Sequence, residues 1–202
     1  MTTNKKQSPL LDYFDQIEDQ FKDRDPSLSE IVRIFGEDGH FVFILFLVLP
    51  FMQPIPLPGL STPFGILIAL AAIWYLRGRP PYVPKSWQKK TIAKSTVLKI
   101  AEGSEVIFRK LAAIIKPRFF LFTKGAWRAL ALIFLVINAL LLALPLPIPF
   151  SNTIPAWAIF FCALGGLEED GLLIIMSYLM TLACWLYFFL IYWGIEKGIQ
   201  IF

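Results

Sequence analysis

One histidine, His40, and two cysteines, Cys162 and Cys184, are all that this 202-residue sequence offers a transition metal. The cysteines stand far apart, each inside an apolar run, so neither a zinc site nor a disulfide framework is expected. Charge is missing over long stretches. No Lys, Arg, Asp or Glu occurs from Phe41 to Leu76, from Ala129 to Leu167, or from Leu172 to Ile195. A helix needs about 20 apolar residues to cross roughly 30 Å of hydrocarbon, and each run reaches that length. The opening lacks the pattern of a signal peptide, being polar and acidic until Phe41. A glycine-rich turn behind a strand is absent too, and no nucleophile, base and orienting group assemble. An enzyme is therefore not expected, and neither a cofactor nor a metal is called for.

What is there points to the bilayer. The sequence is 56% hydrophobic and carries 19 phenylalanines, above the half that soluble domains reach. Charge is also unevenly placed. Thirteen Lys or Arg and only two acids, Glu102 and Glu105, lie between Arg77 and Arg128, whereas residues 1–40 hold five basic and nine acidic residues. A short basic loop between apolar spans stays in the cytosol. The N-terminus is then cytosolic as well, and the partner for the basic loop is anionic lipid rather than nucleic acid.

Leu10, Phe14, Ile17 and Phe21 recur at helical spacing, which predicts an amphipathic helix ending near Pro26. Ser27 and Glu30 have the spacing of a capping box, with Gly36 in stop position. Each of the two following apolar regions is broken by prolines. One holds Pro50, Pro54, Pro56, Pro58 and Pro63; the other holds Pro145, Pro147, Pro149 and Pro155. Pro54-Ile55-Pro56 matches Pro147-Ile148-Pro149 at an offset of 93, and Pro63 matches Pro155 at 92. An internal duplication accounts for this.

The fold class expected is all-α: a polytopic integral membrane protein with two proline-broken repeats plus amphipathic cytosolic helices. The broken stretches are either surface turns of hairpins or the tips of re-entrant segments, the second being favoured because Phe41–Pro50 and Ala156–Leu167 are short. The divisions are 1–40, cytosolic helices; 41–76, first membrane repeat; 77–125, basic loop; 126–167, second repeat; and 168–202, an acidic turn with a final transmembrane helix. Within the loop, Ile92, Ile100, Ile107, Leu111 and Ile114 mark a helix lying at the headgroups. Trp185, Phe188, Trp193 and Gly194 in the last span offer a face for a homodimer.

Gly36-Glu37-Asp38-Gly39, the Pro-x-Pro-x-Pro-Gly segment at Pro54–Gly59 and Arg77-Gly78-Arg79-Pro80 follow one another in this order. Pro117-Arg118-Phe119, Leu144-Pro145-Leu146-Pro147, Asn152, Pro155-Ala156 and Leu167–Gly171 continue it. In order and spacing, over roughly residues 28–190, the sequence resembles the ExoD family of bacterial exopolysaccharide-synthesis membrane proteins. The resemblance implies an inner-membrane protein tied to exopolysaccharide production, with the polysaccharide-synthesis machinery as a partner. It implies no catalytic residues.

Two sets of candidate site residues follow. Gln53, Ser61, Thr62, Asn138, Ser151, Asn152 and Thr153 are polar side chains in or beside the broken stretches. They either coordinate a small ion or polar solute, as broken helices do in transporters, or only satisfy the disrupted backbone. Glu37, Asp38, Glu168, Glu169 and Asp170 stand before apolar runs, where an acid caps exposed amides. They alternatively bind a cation at the membrane edge or pair with Arg77, Arg79, Arg118 and Arg128. Asp23-Arg24-Asp25 has the form of a metal-holding Asp-x-Asp, but it reads better as a polar helix end. Two functions stay open: ion or solute handling, and a non-catalytic scaffold for the polysaccharide machinery.

Overall fold

The computed structural model describes residues 9–53, 59–81, 91, 115–144, 146, 148 and 150–199. Eight α-helices are formed among them: α1 (Pro9–Phe21), α2 (Leu28–Phe35), α3 (Gly39–Val48), α4 (Ser61–Leu76), α5 (Phe120–Thr123), α6 (Gly125–Ala143), α7 (Thr153–Leu167) and α8 (Gly171–Ile199). Short 3-10 turns, Gly36–Asp38 and Leu49–Phe51, extend α3 at both ends. The helix expected over residues 92–114 lies outside the described residues, as do most of the prolines of the broken stretches.

Local chemistry explains the boundaries. Ser27 accepts from the Glu30 amide while Glu30 accepts from the Ser27 amide, so the capping box that starts α2 is complete. Gly36 closes α2 at φ 53, a conformation that costs a glycine little. α1 ends at Phe21, earlier than Pro26, because residues 22–24 already bend. Ile17 and Phe21 from its apolar face are buried.

Among the described residues, three helical stretches are long and apolar enough to cross a membrane: Arg33–Phe51, Gly125–Ala143 and Gly171–Gly194. The first of these exceeds the run Phe41–Pro50 because the helical path continues on both sides of α3. α4 and α7 are shorter apolar helices of 16 and 15 residues, about 24 and 22 Å at 1.5 Å per residue.

α3, α4, α6 and α7 form a closed ring. α3 packs on α4, α4 on α6, α6 on α7 and α7 back on α3, while α8 lies along α7. Small residues set the closest approach. A Cβ on Gly65 of α4 would stand 2.5 Å from the Ala139 carbonyl oxygen of α6, and one on Gly166 of α7 would stand 2.8 Å from the Phe41 ring. Packing through small residues is how apolar helices associate where burial from water supplies no drive. Phe46, Leu49, Leu67 and Leu70, and on α8 Leu182, Leu186 and Phe189, face outward.

Candidate functional site

The ring has two unlike ends. At one end lie the described flanks of the two proline stretches and the starts of α4 and α7; at the other, charged residues precede or follow the helices. Cross-hairpin contacts fix both assignments. Thr153 Oγ1 donates to the Gln53 carbonyl at 3.2 Å and Trp157 Nε1 to that of Met52 at 3.2 Å, which brings the flanks of the two broken stretches together. Arg128, Phe41 and Tyr75 meet at the opposite end.

At the turn end, hydroxyls meet backbone carbonyls that lack helical partners. Thr62 Oγ1 donates to Ala143 O at 2.7 Å, and Ser151 Oγ to Leu146 O at 3.3 Å. The Thr62 and Thr153 bonds are reciprocal. Each return helix, at its first turn, ties off a carbonyl at the end of the other hairpin's outgoing helix. Ser61 and Ser151 are buried, Gln53 is exposed, and Asn152 is half-buried with its Oδ1 shielded and unpartnered.

Deeper in the bundle, Asn138 of α6 is 1% exposed. Its amide nitrogen donates to the Phe134 carbonyl at 2.8 Å and to Thr181 Oγ1 of α8 at 2.9 Å. The Thr181 hydroxyl in turn donates to the Ser177 carbonyl at 2.9 Å. That leaves Asn138 Oδ1 as an acceptor without a donor. Cys162 of α7 reaches the Ala131 carbonyl at 3.5 Å nearby in sequence on α6.

At the charged end, Asp170 is fully buried and organises the approach to α8. It accepts from the amides of Leu172 and Lys116 at 2.9 and 3.1 Å, and from Arg118 Nε at 3.1 Å. Gly171 N donates to the Arg118 carbonyl at 2.8 Å, and a Cβ on Gly171 would collide with the Phe119 carbonyl. Phe119 and Glu169 on either strand of this contact hold positive φ of 53 and 51, a conformation that non-glycine residues adopt only when surroundings enforce it. Glu168 is buried beside them, and Arg77 and Arg79 are exposed.

Asp38 does not cap α3 through its side chain. It accepts from the Tyr13 hydroxyl at 2.7 Å instead, docking α1. Burial first, and then the bond to Asp38, raise the Tyr13 phenol above its ordinary range. Glu37 is exposed, and its carbonyl accepts from His40 Nδ1 at 2.9 Å. Asp23, Arg24 and Asp25 are exposed; Arg24 pairs with Glu30 at 2.7 Å, so this Asp-x-Asp stands beside a surface ion pair. Among the described residues, no group of three or more His, Cys, Asp or Glu could hold a metal ion.

Sequence reasoning did not find the Asn138–Thr181 bond or the seat of Arg128. Both join residues far apart in the chain, and only the rotation of each helix decides them.

Comparison with known proteins adds a lineage to this geometry. The family described as "Exopolysaccharide synthesis, ExoD" matches residues 10–190. An uncharacterised protein of Synechocystis sp. is 38% identical over 81% of this chain and 76% of its own length. Protein ExoD of Rhizobium meliloti is 32% identical over 80% of this chain and 68% of its own. No solved structure matches.

Proposed function

We propose that this chain, which belongs to the ExoD family, is a multi-pass inner-membrane protein that serves exopolysaccharide synthesis by binding or passing a small ion or polar solute. The name of its family carries the first part of this reading. The second rests on one observation: Asn138 Oδ1 and Asn152 Oδ1 are buried amide oxygens without a donor. An acceptor left unpaired away from water costs about 1–3 kcal/mol. A desolvated cation, or an N–H or O–H of a polar solute, relieves that cost. The hydroxyls of Thr62, Ser151 and Thr153 give their hydrogens to carbonyls, which leaves oxygen lone pairs facing the same end. Gln53 and Ser61 complete the candidate set.

The distribution of Lys and Arg supports an orientation in which the N-terminus and the charged end face the cytosol. The ring order, with each hairpin meeting the other through equivalent helices, is what a duplicated hairpin would produce.

A flux and binding assay on the purified chain in liposomes, run over several cations and pH values, tests the ligand part. Asn152→Leu and Asn138→Leu should each reduce uptake, while Arg79→Ala at the exposed opposite end should not. Uptake equal to protein-free liposomes for every cation would remove the ion-handling reading and leave an accessory role in the polysaccharide machinery.

A further inference from the structure

The charged end holds a second pair of unsatisfied groups, at the opposite end of the bundle from the broken stretches and independent of the ligand proposed there. Arg128 lies in the first turn of α6. Its guanidinium carbon stands 5.4 Å from the centroid of the Phe41 ring and 5.1 Å from that of Tyr75. The residue is half-buried, and among the described residues no carboxylate pairs with it. Its Nε is shielded and has no hydrogen-bond partner. A cation there has lost water on two sides and gained two ring faces and a side-chain hydrogen bond to Tyr75, with Nε left over.

His40, in the first turn of α3, is 2% exposed and stands edge-on to the same Tyr75 ring, centroids 5.7 Å apart. Its Nδ1 lies 2.9 Å from the Glu37 carbonyl oxygen. A carbonyl only accepts, so Nδ1 carries the hydrogen and Nε2 is left as an acceptor. That Nε2 is also buried and unpartnered. Tyr75 is thus flanked by a guanidinium Nε without an acceptor and by an imidazole Nε2 without a donor. Asp38, two residues before His40, is already engaged by the Tyr13 hydroxyl.

The two needs are complementary, and they specify a ligand chemistry. A fully ionised oxyanion would satisfy Arg128 and leave a neutral His40 unpaired. An anionic oxygen that carries or adjoins a hydroxyl satisfies both: the oxygen accepts from Arg128, and the hydroxyl donates to His40 Nε2. The positive end of α6 favours the same charge, and the aromatic walls hold water away, which strengthens each contact. We propose that Arg128 and His40 form a site between the two hairpins for a hydroxyl-bearing oxyanion, of the hydrogen-phosphate or glycerophosphate class. Arg128 must swing slightly on the rings to present Nε, a motion its long side chain allows.

The test uses the full chain purified in a neutral detergent, titrated calorimetrically with inorganic phosphate and with sulfate near neutral pH, where sulfate bears no hydroxyl. In parallel, native mass spectrometry reads retention of phosphatidylglycerol against phosphatidylcholine. Phosphate should bind at least about tenfold more tightly than sulfate, the difference one hydrogen bond makes. Phosphate binding identifies a free oxyanion as ligand; retention of phosphatidylglycerol without phosphate binding identifies a lipid headgroup. Arg128→Gln should abolish either. Arg128→Lys, which keeps the charge but lacks the planar fork, should weaken it and serves if the glutamine variant does not fold. His40→Phe should erase the preference for phosphate over sulfate, or for phosphatidylglycerol over phosphatidylcholine, while leaving residual anion binding. Measurable binding of phosphate and sulfate with equal affinity, a preference that survives His40→Phe, or binding of neither phosphate nor phosphatidylglycerol would overturn the proposal.

Discussion

Thr62 and Ala143 are joined across the two hairpins by a hydrogen bond of 2.7 Å, from the hydroxyl of one to the carbonyl of the other. The last carbonyls of a helix have no intrahelical donor, and lipid offers none. Thr62→Val keeps the shape and removes the donor, so it should lower stability by about 1–3 kcal/mol. Thr153→Val removes the reciprocal bond to Gln53 O, which is more exposed, and should cost less because water can replace it. Thermal unfolding in detergent reads both. An equal loss in the two variants would contradict the idea that burial sets the cost.

Gly65 of α4 lies directly against the backbone of α6 at Ala139 and Ala143. With a Cβ placed 2.5 Å from a backbone oxygen and 2.8 Å from a backbone nitrogen, Gly65→Ala must push the helices apart. A loss of about 1–3 kcal/mol is expected from such overpacking. Gly194, near the end of α8, has nothing within 4 Å of its virtual Cβ. Gly194→Ala should therefore be neutral or slightly stabilising, since alanine is the better helix former. Cross-linking between α4 and α6 should weaken in the first variant only.

Asp170 is a buried carboxylate with three donors, one of them the Arg118 guanidinium. Asp170→Ala leaves two amides and the arginine without their acceptor, next to backbone already strained at Phe119 and Glu169. The pair is buried only on the carboxylate side, the Arg118 side chain being 37% exposed, so the stranded amides set the loss at about 1–3 kcal/mol. Arg118→Ala strands the carboxylate but leaves its two amide donors. The single losses should sum to more than the loss in the double variant, which a double-mutant cycle would show.

These residues also show how far the sequence carried. The start of α2 was legible because a capping box is a local pattern: Ser27 and Glu30 satisfy each other within one turn. The helix ends flanking the two proline stretches were legible because proline cannot donate to a helix. The partner of the acidic turn was only narrowed: Arg77, Arg79, Arg118 and Arg128 all qualified by charge, and Arg118 is the one that reaches Asp170. Nothing local distinguishes these arginines; the left-handed turn at Phe119 aims the segment, and the bond from Gly171 N to the Arg118 carbonyl holds it against the start of α8. Asn138 was visible as a polar residue in an apolar run, but its bond to Thr181 spans 43 residues and depends on helix rotation.

Alkali should release α1. The Tyr13 phenol is raised by burial and by Asp38 above its ordinary value of 10.0, so the folded state keeps its proton while the released segment ionises. The stabilisation is complete below about pH 10 and declines as pH rises above it. Limited proteolysis of α1 should accelerate in that range and be largely pH-independent in Tyr13→Phe, which lacks the titrating group. Acceleration of equal size in both proteins would place the sensitivity elsewhere.

The depth of the turn end separates a surface hairpin from a re-entrant one. α4 and α7 measure about 24 and 22 Å, short of the roughly 30 Å of hydrocarbon, whereas α6 at 19 residues comes to about 28 Å. Reaching the far surface therefore requires the broken stretches themselves to cover the remaining distance. Thr62 and Thr153 satisfy carbonyls there without needing water, which permits a turn at membrane depth. Single cysteines report the outcome, because Cys162 and Cys184 are buried and label slowly. Arg79→Cys, exposed at the charged end, should react with an impermeant maleimide only after the cells are opened. Leu60→Cys, exposed beside the first broken stretch, should resist labelling from both sides if the tip is re-entrant. Rapid reaction from the periplasm would instead establish a surface hairpin, and labelling of Arg79→Cys in intact cells would reverse the orientation altogether.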